Sequence, residues 1–202
     1  MSSDRRLVLA SASPARLALL RQAGLAPDVV VSQVDESTVR APRVAEQVAL
    51  LASAKAADVA KRETDALVIG ADSLLEFHGK PLGKPSDAAD VRDRWRRMAG
   101  RSGTLHTGQA LFDVRDGSVA SRDVAVASTV VYFASPTEQE IEAYVATGEP
   151  LAVAGAFTLD GLGAPFVRRV EGDPAAVVGL SLTVLRTQLS KRGLAITDLW
   201  RR

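Results

Sequence analysis

The segment Ser11-Ala12-Ser13-Pro14-Ala15-Arg16 follows a short apolar run, Leu7 to Ala10. A strand that runs directly into a helix N-terminus makes an anion site, because free backbone N–H groups and the helix dipole both favour negative charge. Ser11 and Ser13 add hydroxyl donors, and Arg16 adds a forked cation one turn in. The glycines and terminal lysine of a Walker A loop are missing. A well-capped helix with an exposed arginine would give the same pattern.

Lys55 is placed unusually. Val44, Val48, Leu51, Lys55 and Val59 recur at helical spacing, so the ammonium falls on the apolar stripe. A charge there must either reach out to solvent or meet an anion. Asp72 follows the apolar run Leu67-Val68-Ile69-Gly70-Ala71 and is expected at the carboxyl end of a strand, where ligands collect in open α/β sheets. An aspartate capping a turn toward Ser73 is the plainer alternative. Lys80 and Lys84 each sit in a Gly-Lys-Pro triplet, which holds the lysine in an extended loop within reach of a phosphate, or simply in a surface hairpin. Glu36 follows a strand and is a candidate metal ligand or base. His78 and His106 are too isolated for a zinc site and read as loop or surface residues. Cations with two carboxylates and no activated nucleophile point to metal-assisted attack on a phosphoryl group.

The elements that position these groups alternate between strand and helix, the mark of an α/β fold. Leu7 to Ala10 is a strand. Ser13 caps a helix that Pro14 opens and Gly24 closes. Val29 to Val31 forms a second strand, and Pro42 begins an amphipathic helix reaching about Lys61. Leu67 to Ile69, apolar on both faces, reads as a short central strand. Ser86 is expected to cap a helix striped by Val91, Trp95 and Met98, with Arg92, Arg94, Arg96 and Arg97 on a solvated face. Strands around the turn Asp116-Gly117 form a hairpin, Ser135 to Glu138 offers a capping box, and Leu182, Leu185 and Leu189 stripe a final helix.

Composition narrows the function classes. Twenty-five Lys and Arg against 24 Asp and Glu leave a formal charge of +1, without the basic block of a nucleic-acid binder, so no stable nucleic-acid binding is expected. The absence of cysteine excludes disulfides, thiolate metal sites and a cysteine nucleophile. No apolar run approaches membrane-spanning length and no signal-peptide core is visible, so a soluble cytoplasmic protein is expected.

Several segments together resemble the Maf-like nucleotide pyrophosphatases: LASASPARLALL at 9–20, VDE at 34–36, LASAKA at 51–56, GADS at 70–73 and GKP at 83–85. YVATGEPL at 144–151, AGAF at 154–157 and VVGLSL at 177–182 continue the series, which runs in register from about residue 7 to 192 of a single domain spanning 1–202. The resemblance implies a two-lobed mixed α/β sheet flanked by helices around a central cleft, similar to the inosine-triphosphate pyrophosphatases, and a homodimer. It implies hydrolysis of nucleoside triphosphates to monophosphate and pyrophosphate with magnesium or manganese. On this resemblance Asp72 is the general base and a metal ligand, Glu36 the second carboxylate near the metal, and Ser11, Ser13, Arg16, Lys55 and Lys84 the phosphate-binding set. Ala15, Ser73 and Asp160 match neither the pyrimidine-selective branch nor the branch acting on methylated guanosine triphosphate, so a broader substrate range is expected, with Asp160 lining the base pocket. The rival reading is a regulatory protein, linked to division arrest, that binds nucleotide without turnover.

Overall fold

A computed structural model describes residues 5–200 of the chain. In chain order the elements are β1 (Leu7–Ala10), α1 (Pro14–Gln22), β2 (Asp28–Val29), α2 (Val44–Ala60), β3 (Ala66–Phe77), β4 (Lys80–Leu82) and α3 (Ala88–Met98), followed by β5 (Ser102–Arg115), β6 (Ser118–Phe133), α4 (Glu138–Ala146), β7 (Val167–Glu171), α5 (Pro174–Val178) and α6 (Leu182–Ser190). The strands form one mixed sheet in the order β2-β1-β3-β5-β6-β7, with β4 beside β3. β1 runs parallel to β2 and β3, whereas β4 and β7 pair antiparallel with β3 and β6. The α/β class and the mixed sheet match the sequence expectation.

The chain divides into two compact units. The first comprises residues 1–72, 107–127 and 179–202; the second comprises 73–106 and 128–178. In the first, alternation along the strands decides everything. Leu7, Leu9, Leu67, Ile69 and Leu111 point to one face and pack with Leu20 of α1 and Leu185 and Leu189 of α6. Val8, Ala10, Val68, Ala110 and Phe112 point to the other and pack under Ala52, Ala56 and Val59 of α2. Both faces of β1 and β3 are thereby covered, which is why these strands read as continuous apolar runs.

α2 lies very close to the sheet. A Cβ at Gly70 would fall 2.2 Å from the Ala52 carbonyl oxygen, and one at Gly108 would fall 2.1 Å from that of Val48. Only hydrogen fits between strand and helix at these two points.

The second unit has its own core. Leu75, Phe77, Leu105, Val131 and Phe133 of the strands meet Val91, Trp95 and Met98 of α3 and Ile141, Tyr144 and Val145 of α4. The Trp95 indole packs edge-on against Phe133 and donates to the Ala156 carbonyl at 2.9 Å.

Several local expectations are corrected. β3 is twelve residues long, since its ladder continues through Asp72 and Ser73 to pair with β4; backbone hydrogen bonding is indifferent to the polarity of those side chains. Asp72 therefore sits within β3 and not at its end. Asp87, not Ser86, caps α3, accepting from the Asp90 N–H. The capping box of α4 is formed by Thr137 and Glu140, two residues later than expected. Arg94 is buried: it pairs with Asp90 and donates to the Gly83 carbonyl, whereas Arg92 and Arg96 bridge to Glu142 and Glu138 of α4. His106 is no surface residue. It lies in β5, 8% exposed, with Nε2 3.0 Å from Glu76 and Nδ1 2.8 Å from the Ser128 hydroxyl.

Gly70→Ala or Gly108→Ala is expected to lower the unfolding free energy by about 3 kcal/mol, because the added methyl must push α2 off the sheet. Urea denaturation of the two variants checks this; midpoints equal to wild type would mean the helix yields without cost.

Candidate active site

The site begins where β1 stops. β1 pairs with β3 as far as Ala10 opposite Gly70, then turns into α1. β3 continues, so Asp72 projects past the carboxyl end of its neighbour. Val68, Gly70 and Asp72 share a strand face by period-two alternation, the face covered by α2. Lys55 is carried by that helix between Ala52 and Ala56. The glycine contact that seats α2 thus also presses the Lys55 ammonium against the Asp72 carboxylate.

Their separation is 2.6 Å, and each residue is only 7% exposed. The ammonium also lies 2.6 Å from Glu36, which a single 3₁₀ turn, Glu36–Thr38, presents after Asp35 caps it. Glu36 remains 57% exposed at its side chain, so one carboxylate of the pair is desolvated and the other faces water. Lys55 does not snorkel; it meets anions.

Arg16 completes the group. It is 9% exposed, with Nε donating to the Gly179 carbonyl at 2.8 Å and NH1 donating to the Ser11 hydroxyl at 3.0 Å. These bonds fix a buried guanidinium at the N-terminus of α1, which excludes the exposed arginine of the plainer reading. Ser13 caps the helix through the Arg16 N–H, and its own N–H donates to Ser11. Gly179 holds φ at +130°, and a Cβ there would touch Arg16 Nε at 3.0 Å, so the backbone can approach the guanidinium only without a side chain.

Burial raises the pKa of Asp72 above its ordinary value, and the nearby charges of Lys55 and Arg16 hold it partly back. Burial also lowers that of Arg16, opposed by the fields of Asp72 and Glu36. The result is a cluster of two carboxylates and two cations beside a helix N-terminus, buried except at Glu36. Such a cluster can receive phosphate oxygens and can hold a proton on an aspartate.

Two predicted residues lie in the second unit. Lys84 is exposed in the loop after β4, and Arg94 steadies that loop through the Gly83 carbonyl and, at 3.5 Å, the Lys84 carbonyl. Asp160 is exposed in a loop fastened by Glu149. That carboxylate accepts from the Thr158 hydroxyl at 2.5 Å, the Tyr144 hydroxyl at 3.1 Å and the N–H groups of Leu162 and Gly163. Burial works against the charge on Glu149, but these donors hold its pKa below the usual range. The sequence assigns no site role to Gly179 or Glu149 and places Arg94 on a solvated face. Gly179 and Arg94 act on or through backbone carbonyls, which no residue type announces.

No group of three or more His, Cys, Asp or Glu side chains suited to a metal occurs among the described residues. Glu36 and Asp72 nevertheless fit a hard divalent ion. Their oxygens already converge on one cation, the Lys55 ammonium, and magnesium commonly takes only one or two carboxylates, with water and substrate phosphates filling the rest.

The raised pKa of Asp72 fixes a sign. The folded state holds this proton more tightly than the unfolded chain, so its contribution to stability is greatest below the ordinary value of 3.8 and is lost as pH rises through the folded value. The stability of wild type relative to Asp72→Asn is expected to fall as pH is raised from 3.8, measured by urea denaturation across pH. A difference that does not vary with pH would contradict this.

Comparison with known proteins shows the family. The model for "Maf-like protein" matches residues 6–192. A Streptomyces coelicolor protein named nucleoside triphosphate pyrophosphatase is 57% identical over 198 residues, covering 97% of this chain and 95% of its own. Proteins of the same name from Salinispora tropica and Rhodococcus erythropolis are 57% and 50% identical, covering 98% and 97% of this chain and 88% and 97% of their own. With the match running from residue 6 to 192, across both units, the chain belongs to the Maf-like protein family.

Proposed function

We propose that the protein hydrolyses nucleoside triphosphates to nucleoside monophosphate and pyrophosphate, the activity named for its relatives. The observation that carries this reading is the buried Arg16–Lys55–Asp72 cluster at the start of α1. A buried guanidinium and ammonium beside a helix N-terminus suit the oxygens of a polyphosphate, with Ser11 and Ser13 adding donors.

Asp72 is the general base. Burial raises its proton affinity, and a water hydrogen-bonded to its carboxylate gives up a proton to Oδ as the water oxygen joins phosphorus. The anhydride bond between the α- and β-phosphates breaks, and pyrophosphate leaves with the bonding electrons. Arg16 and Lys55 gain strength as charge gathers on the phosphate oxygens, because little water competes with them. Glu36 and Asp72 would hold a magnesium or manganese ion, which supplies charge neutralisation at the phosphates when bound. Positioning and electrostatics account for most of the catalysis in phosphoryl chemistry of this kind.

The reading includes a homodimer acting in the cytoplasm. No helix among the described residues is long and apolar enough to cross a membrane. The formal charge of +1 supports a small-molecule substrate over nucleic acid.

Purified protein incubated with a nucleotide panel and magnesium or manganese is expected to release monophosphate and pyrophosphate. Asp72→Asn is expected to lose at least about a hundredfold in kcat with KM within a few-fold. Orthophosphate as product would mean a different bond is cut, and tight binding without product would favour the regulatory reading. The exposed Asp160 carboxylate can accept from base N–H donors, so Asp160→Ala is expected to reorder substrate preference across the same panel. An unchanged ranking would remove Asp160 from base recognition.

A further inference from the structure

We propose that the Lys55 ammonium and the divalent cation compete for one position between Glu36 and Asp72, so that the ion enters productively only when a triphosphate draws Lys55 away. This rests on the reading of the site as a metal-assisted triphosphatase. Lys55 Nζ stands 2.6 Å from Glu36 Oε1 and 2.6 Å from Asp72 Oδ1, the only side-chain ion pairs made by any of these three residues among those described. A divalent ion held by the same two oxygens would need the space that the ammonium nitrogen fills. The two cations cannot both be there.

Charge leads to the same conclusion. Glu36 and Asp72 are already balanced by Lys55 and by Arg16, whose field is coupled to both carboxylates. A dication added to this neutral cluster would place uncompensated charge in a largely buried site, which is costly. A polyphosphate reverses the balance. Its oxygens offer Lys55 a new partner, free the two carboxylates for the ion and supply the ion's remaining ligands. Lys55 therefore has two positions: in the free enzyme it takes the cation's place between the carboxylates, and in the loaded enzyme it serves as a phosphate ligand.

The test titrates manganese into the full-length protein without nucleotide and follows free ion by electron paramagnetic resonance. Lys55→Met is expected to bind one ion at least about tenfold more tightly than wild type, since the competitor is gone, and adding Glu36→Gln to it should remove that gain. Affinity in Lys55→Met no tighter than wild type overturns the proposal, as does a gain that survives Glu36→Gln. Should circular dichroism show that Lys55→Met does not fold, the wild type supplies the answer. The Lys55 ¹⁵Nζ resonance, assigned by its loss in Lys55→Arg, is expected to shift when magnesium is added with a non-hydrolysable triphosphate and to stay in place with magnesium alone; no shift with the pair, or the full shift with magnesium alone, overturns the proposal. None of these readouts requires turnover. Failure to release pyrophosphate in the product assay would therefore sink the catalytic reading while leaving the competition separately measured.

Discussion

The contact between α2 and the sheet at Gly70 and Gly108 is the constraint on which the first unit depends. At both points the strand comes so near the helix backbone that a methyl group would overlap a carbonyl oxygen. That approach fixes the height and register of α2 over β3 and β5. Lys55 stands between Ala52 and Ala56, the residues nearest Gly70, and Asp72 lies one same-face step beyond that glycine. Even a small lift of the helix would separate the ammonium from the carboxylate and leave the buried Asp72 without its ion pair. Removing one member of a buried pair costs more than the pair itself contributes, so packing and chemistry are coupled here.

The charge cluster also explains why the surrounding backbone is irregular. Arg16 is buried through almost all its length and needs acceptors close at hand. One is the Ser11 hydroxyl at the end of β1; the other is the Gly179 carbonyl, delivered by a residue whose positive φ lets the chain turn against the guanidinium. Immediately after that turn Ser181 caps α6, whose leucines fill the core beneath α1. One short stretch thus closes the core on one side and orients the Arg16 guanidinium on the other.

In the second unit, charged groups brace loops. Arg94 reaches from α3 to the carbonyls flanking Lys84, and Glu149 gathers two hydroxyls and two N–H groups of the segment leading to and following Asp160. Polar networks of this kind leave a loop few alternative conformations. The Glu76–His106–Ser128 chain spans three neighbouring strands in the same unit and satisfies a histidine that would otherwise be buried unpaired.

The sequence by itself determined the α/β class, the strands of the apolar core and the stripe positions of α2, α3 and α6, because burial on a sheet or helix face imposes a periodicity that survives in one dimension. It also singled out Lys55, since an ammonium on an apolar stripe has few physical explanations. Asp72 was found for a partly mistaken reason: the apolar run before it ends, but the strand does not, because the backbone ladder ignores side-chain polarity. Arg94 and His106 were misread for a related cause. Each looks solvated in a polar stretch, and only the folded chain brings Gly83, Glu76 and Ser128 to them. Tertiary structure alone decided that Lys55 sits between two carboxylates, that Arg16 is buried against the Gly179 carbonyl, and that two glycines set the distance. Those relations join residues far apart in the chain through backbone atoms and close approaches, and neither leaves a periodic trace in the sequence.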